Sequence, residues 1–334
     1  MMNSISVIGA GSWGTVIANL LALKGNEVLL WAYEKDTVES MIELRENKPF
    51  MPGLKLSPNL IPTNDLNEAA GTASHIILVI PTQFIRGILT KAAPIIAPDT
   101  VIVTAAKGIE RGTLKTASAI IREFLGNEVA VLSGPSFADE VAKKKPTAVT
   151  LAISDHSKHA HTLQEMFFTE YFRVYTHEDI IGVELGGALK NVIAIASGIC
   201  DGLGLGLNAR AALITRGLSE IIRLGVVLGA KENTFSGLSG LGDLVLTCTG
   251  NLSRNYTVGM RLGGGETPAE ILSDMKAVAE GVETSASAFA LAERAGVEMP
   301  IVEQVYRVIH ESKSPAVAVR QLMSRGLKVE FRHG

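Results

Sequence analysis

The chain has 334 residues, 47% of them apolar and 19% charged, with a net charge of −3. That length supports about two domains with sizeable cores, and the near-neutral balance argues against nucleic acid or an acidic membrane surface as partner. Two cysteines, Cys200 and Cys248, rule out a disulfide framework and read as buried free thiols in a reducing compartment.

In chain order, "SISVIG" is a short β-branched run, followed by a helix in "WGTVIANLLALKG" and a second strand in "NEVLLWA". Continuous apolar runs at 75–81, 100–106 and 128–134 have the look of strands buried on both faces. Helical or loop segments separate them, which predicts βαβ repetition and a parallel sheet. Residues 147–153 and 171–176 are expected to add two strands. Beyond about residue 180 the pattern turns helical, from "VELGGALKNVIAIASGI" to "PIVEQVYRVIHE". The expected fold class is therefore α/β: a Rossmann-type, doubly wound, mostly parallel sheet over 1–180, then an all-α domain over 181–334. The N-terminus runs almost directly into the first strand, leaving no room for a leader. The longest apolar run, residues 192–199, is far short of the ~20 residues that cross a bilayer. A cytoplasmic protein without stable membrane insertion is expected.

"GAGSWG" places Gly9, Gly11 and Gly14 in the Gly-x-Gly-x-x-Gly spacing, between a strand and a helix. Gly9 permits the tight turn, Gly11 lets the backbone approach a pyrophosphate, and Gly14 lets helix and strand pack closely. Ser12 and Trp13 lie on the crest of that turn, and the helix N-terminus faces the anion. A site preferring NAD usually carries a carboxylate at the end of the second strand. Here the strand end reads Trp31-Ala32-Tyr33, with Glu34 only close by. A 2′-phosphate is not repelled, so NADPH is expected to be accepted, with NADH left open.

Lys190 stands in the middle of an apolar, small-residue stretch. Burial disfavours an ammonium and pushes a lysine towards the range that suits proton transfer near neutrality. Moving a hydride to or from a secondary alcohol requires such an acid and base. Gly186, Gly187 and Ala194, one turn either side, are expected to leave room for substrate against the helix. Asp243 and Thr247 are four apart and share one helix face. Ser253 is a candidate N-cap, which puts Arg254 and Asn255 in a first turn where N–H groups, dipole and guanidinium converge on an anion. Lys107 follows a strand at the carboxyl end of the sheet, where ligands bind.

The set "GAGSWG", "AAKGIE", "SGPSFADEVA", "ELGGALKNVIAIASGICDGLGLGLNARAALITRG", "GLSGLGDLVLTCTGNLSRN" and "VAEGVET" resembles the NAD(P)-dependent sn-glycerol-3-phosphate dehydrogenases of the bacterial type, over essentially the whole chain. The resemblance implies interconversion of sn-glycerol 3-phosphate and dihydroxyacetone phosphate, feeding phospholipid synthesis. It implies Lys190 as proton donor and acceptor, with Asp243 beside it on the substrate. Lys107 and Arg254 would touch both substrate and cofactor. Gly134, Ser136, Ser253 and Asn255 would contact substrate, while Tyr33, Ala138, Val278 and Glu280 would contact cofactor, the last two at the nicotinamide end.

His156, His159 and His161 have metal-like spacing but read as a surface connector, since no further ligands complete a site; no metal is expected. "DGLGLG" reads as a connector between helices. The aliphatic faces beyond residue 208 fit a homodimer interface and core packing equally well. Two other functions remain open from the residues: a related two-domain 3-hydroxy-acid dehydrogenase or reductase, and a non-catalytic dinucleotide sensor that would have no need of Lys190.

Overall fold

The computed structural model describes residues 4–275 and 279–327. Eight strands form one sheet: β1 (Ile5–Ile8), β2 (Val28–Trp31), β3 (Leu60–Thr63), β4 (His75–Leu78), β5 (Val101–Thr104), β6 (Val129–Ser133), β7 (Thr147–Ala152) and β8 (Phe172–His177). Their spatial order is β3-β2-β1-β4-β5-β6-β7-β8. Strands β1 to β6 run parallel, β7 is antiparallel to β6, and β8 is parallel to β7. Every residue of β1, β4, β5 and β6 is buried. Separate apolar clusters cover the two faces, one around Ile17, Leu21 and Phe167, the other around Ile85, Leu89 and Ile120. Helices on both sides of a parallel sheet explain why these strands read as unbroken apolar runs.

The order reverses at β1, which lies between β2 and β4. A crevice opens at such a switch point, beyond the carboxyl ends of the strands. One strand escaped the sequence reading. "LIPT" of β3 is four residues long and carries Pro62, which cannot donate to a ladder. It is tolerated because β3 is the edge of the sheet.

After β8 the chain becomes helical at Ile180–Gly202, a helix of 23 residues buried continuously from Gly182 to Cys200. Asp179 caps its start, accepting from the Gly182 and Lys231 N–H groups and the Thr234 hydroxyl. The run at 192–199 understates the length of this apolar helix. By length and composition the helix could cross a bilayer, with a mean hydropathy of 1.5 over its most apolar window. It is instead the axis of the helical half, and 94% of that window is buried inside the protein.

Its small residues allow close approach on several sides. A Cβ on Gly198 or Gly202 would strike the backbone of the Arg254–Gly263 helix, and one on Gly259 or Gly263 would strike the central helix in return. Two glycine pairs spaced four apart therefore let these backbones touch, which fixes the Arg254–Gly263 N-terminus beside the middle of the central helix.

Candidate active site

Gly9 leaves β1 with φ of +116°, which an L side chain rarely adopts, and its Cβ would also collide with the Val79 carbonyl. A Cβ on Gly14 would collide with the Gly9 carbonyl, whereas one on Gly11 would meet nothing within 4 Å. The first and third glycines are thus packed against protein and the second opens onto free space, as a cradle for a pyrophosphate requires. No side chain caps the Ser12–Leu23 helix. Its first N–H groups have no intrahelical partner and are open to an anion. Ser12 donates to the Phe50 carbonyl at 2.8 Å, which draws the segment after the Lys35–Leu44 helix over the turn. Trp13 packs towards Phe172. Tyr33 stands exposed just past β2, and Phe84 is exposed at the first turn after β4. Phe84 was not singled out from the sequence. These features fit a dinucleotide.

Lys190 is 6% exposed. Its ammonium donates to Asp243 Oδ1 at 2.5 Å and to Thr247 Oγ1 at 2.8 Å. Asp243 does not cap its helix, since the N-cap position is Gly242. Instead its other oxygen accepts from Lys107 Nζ at 2.7 Å. Two ammonium groups thus share one buried carboxylate. Burial pushes the Lys190 pKa down to about 8, with Asp243 holding it up and Lys107 pressing it lower. Cys248, next to Thr247, is driven the other way by burial, up to about 12, and is inert as a thiolate.

The small neighbours of Lys190 do not leave room for substrate, contrary to expectation. A Cβ on Gly186 would lie 2.7 Å from the Ser239 carbonyl, and one on Gly187 would lie 2.7 Å from Ser133 Oγ, with the Lys107 stem close behind. They admit neighbouring protein.

A chain of amides ties the lysines to the far helix. Asn191 Nδ2 donates to the Lys107 carbonyl at 3.0 Å. Asn255 Nδ2 donates to Asn191 Oδ1 at 2.9 Å, and the Gly281 N–H donates to Asn255 Oδ1 at 3.0 Å. Next to Gly281, Glu280 Oε1 accepts from the Thr82 N–H at 3.2 Å. Burial raises the Glu280 pKa, against the pull of the Thr82 N–H, Arg254, Lys107 and Lys190. The Asn255 side chain is therefore engaged on both its amide atoms within the protein. Asn191 was missed as a site residue; the signal was a polar amide beside the lysine in an otherwise apolar helix.

Ser253 caps its helix, accepting from the Tyr256 N–H at 3.2 Å. Arg254 is exposed at the first position. Gly134 is buried, and its carbonyl accepts from both Lys107 Nζ and Ser136 Oγ at 3.0 Å. It holds the lysine through its backbone. Ala138 starts the short helix that follows. Val278 lies outside the described residues. Among the described residues no group of three His, Cys, Asp or Glu side chains is placed to hold a metal ion.

Comparison with known proteins matches both halves of the chain to one family. Residues 4–159 match the profile "NAD-dependent glycerol-3-phosphate dehydrogenase N-terminus", and residues 179–320 match its C-terminus counterpart. Proteins of Citrifermentans bemidjiense and Geobacter sulfurreducens, both named glycerol-3-phosphate dehydrogenase (NAD(P)+), are each 56% identical over 334 residues, covering 99% of either chain. The crystal structure of glycerol-3-phosphate dehydrogenase from Coxiella burnetii superposes with a TM-score of 0.94 at 42% identity, covering 97% of this chain and 99% of that one. With its glycine turn, a buried lysine and a second, half-buried one on the same aspartate, and matching relatives over 99% of its length, the chain belongs to the NAD(P)-dependent glycerol-3-phosphate dehydrogenase family.

Proposed function

We propose that the cleft between sheet and central helix carries the interconversion of sn-glycerol 3-phosphate and dihydroxyacetone phosphate, with Lys190 as the group that moves the proton. The observation that carries this reading is a buried lysine with a pKa near 8, aimed by Asp243 and Thr247 from across the fold. A bound nicotinamide supplies or accepts the hydride. As hydride reaches the ketone carbon, the Lys190 ammonium gives its proton to the carbonyl oxygen; in the other direction the neutral amine takes it from the alcohol. Below pH 8 the ammonium dominates and favours reduction; above it the amine favours oxidation.

Gly9, Gly11, Ser12, Trp13, Gly14, Tyr33 and Ala138 would hold the dinucleotide, with Glu280 at its nicotinamide end. Lys107 and Arg254 would meet the substrate phosphate, helped by the N–H groups of the turn that Ser253 caps. Gly134 and Ser136 act here through Lys107. Asn255 offers the substrate its backbone N–H and its remaining amide hydrogen. The same proposal places the division between a dinucleotide half and a substrate half near residue 180. It includes a cytoplasmic setting that feeds phospholipid synthesis, and a homodimer that would cover the exposed Leu205, Leu207, Val226 and Val227.

The test mixes the purified protein with NADPH and either dihydroxyacetone phosphate or dihydroxyacetone, following nicotinamide absorbance. Two charge-assisted contacts to phosphate predict a kcat/KM advantage of about 10²-fold or more for the phosphorylated ketone. Equal rates would remove the phosphate seat. Intact cofactor binding with no decay would leave a binding protein.

A further inference from the structure

Lys107 opens a long connection between β5 and the Ala117–Phe124 helix. Its ammonium is held by Asp243 and the Gly134 carbonyl, and its own carbonyl by Asn191. Beyond its own Ile109–Thr116 pairing and the Arg111–Glu283 ion pair, the connection is held by a different element, the first turns of the Thr82–Ala92 helix. Gln83 spans the connection with one amide: Nε2 donates to the Ile109 carbonyl at 2.9 Å, and Oε1 accepts from the Arg111 N–H at 3.0 Å. One turn on, Arg86 grips the residue between them, with Nε and Nη2 on the two oxygens of Glu110 at 2.9 and 2.8 Å. On the other side Gly108 lies against Thr82, where a Cβ would come within 2.7 Å of the Thr82 hydroxyl. Residues 82, 83 and 86 thus hold residues 108 to 111 between them. The same helix begins one residue after Val79 and Ile80, which pack on Gly9. Its first turn sits between the cofactor turn and the lysine connection.

We propose that Gln83 is a positioning residue, which sets the Lys107 ammonium for the substrate by clamping the backbone just beyond it. This rests on the reading of Lys107 as a substrate-binding group. The two Gln83 bonds are to backbone groups, so a side chain of the same length without an amide loosens the connection at Ile109 and Arg111 and keeps its packing. Lys107 then samples positions off Asp243, and the site is less often competent to receive the phosphate.

The experiment is a double-mutant cycle between Gln83→Met and Lys107→Ala, read as KM for dihydroxyacetone phosphate, kcat, and NADPH affinity by fluorescence. Gln83→Met alone raises KM about tenfold, the scale of one or two neutral hydrogen bonds, with kcat and NADPH affinity within about twofold. In the Lys107→Ala background it adds less than about twofold, because the group it positions is gone. Gln83→Glu keeps the size but turns an oxygen onto the Ile109 carbonyl, and raises KM at least as much. Thermal unfolding of each variant confirms that it is folded. If the two substitutions multiply, or if kcat falls while KM holds, Gln83 does not act through Lys107 and the proposal is overturned. If Lys107→Ala itself leaves KM unchanged, the substrate role of Lys107 fails first and takes this inference with it.

Discussion

Replacing Asp243 with Asn removes the one buried carboxylate that the buried Lys190 and the half-buried Lys107 share, while keeping its shape. Lys190 loses a charge-assisted bond of 2.5 Å and Lys107 one of 2.7 Å. Such bonds contribute about 1.5–3 kcal/mol each, and about 1.4 kcal/mol moves a pKa by one unit. Burial already pushes Lys190 down, and the Asp243 carboxylate is what chiefly holds it up. The variant's lysine should therefore titrate about 1–2 units below its parent value of about 8. At pH 7.5 its ammonium fraction drops from about three quarters to about a tenth, and reduction of dihydroxyacetone phosphate slows roughly eightfold from protonation alone. The assay is kcat for reduction between pH 5.5 and 9 in parent and variant. The falling limb should move towards acid, and activity should largely return near pH 6. A limb that stays in place or moves towards alkali would refute the assignment of that limb to Lys190.

Gly11→Ala should leave thermal stability almost unchanged and weaken NADPH binding, because its Cβ enters open space at the turn; Gly14→Ala should instead lower the melting temperature sharply, because its Cβ strikes the Gly9 carbonyl. Stability equally lost in both would contradict the packing described for the turn. Glu220 accepts from the Ile301 and Val302 N–H groups at the start of the Pro300–His310 helix, and burial raises its pKa to about 7. The folded protein thus keeps a proton that the unfolded chain sheds nearer pH 4.5, so this group's contribution to stability falls as pH rises between those values. Urea unfolding of the parent, relative to Glu220→Gln, should show a loss of up to about 1.4 kcal/mol per pH unit across that window; parallel profiles would contradict the burial account.

The sheet was legible because strands buried on both faces cannot hide their apolar runs, and β3 was not because four residues with a proline carry little signal. The glycine turn was legible in full, since each glycine answers a separate steric demand that shows as spacing. Lys190 stood out as a charge in an apolar helix. The purpose of its small neighbours did not, because a glycine in sequence says only that something comes close. Whether that something is substrate or the Ser239 carbonyl depends on a segment some fifty residues away. Asn255 illustrates the same limit: its place in a first turn suggested an anion contact, while its amide is engaged with Asn191 and Gly281. Gln83 and Asn191 act on backbone carbonyls and N–H groups of distant loops, contacts that leave no pattern along the chain.

In the proposed mechanism the Lys190 ammonium delivers the proton when the ketone is reduced. Its most direct test is the single-turnover rate of NADPH oxidation by dihydroxyacetone phosphate in Lys190→Ala, measured with saturating ligands. The account predicts a rate lower by about 10²–10⁴-fold, or roughly 3–5 kcal/mol of barrier, with NADPH affinity retained. A rate within tenfold of the parent, with the defect confined to KM, would show that the lysine only binds.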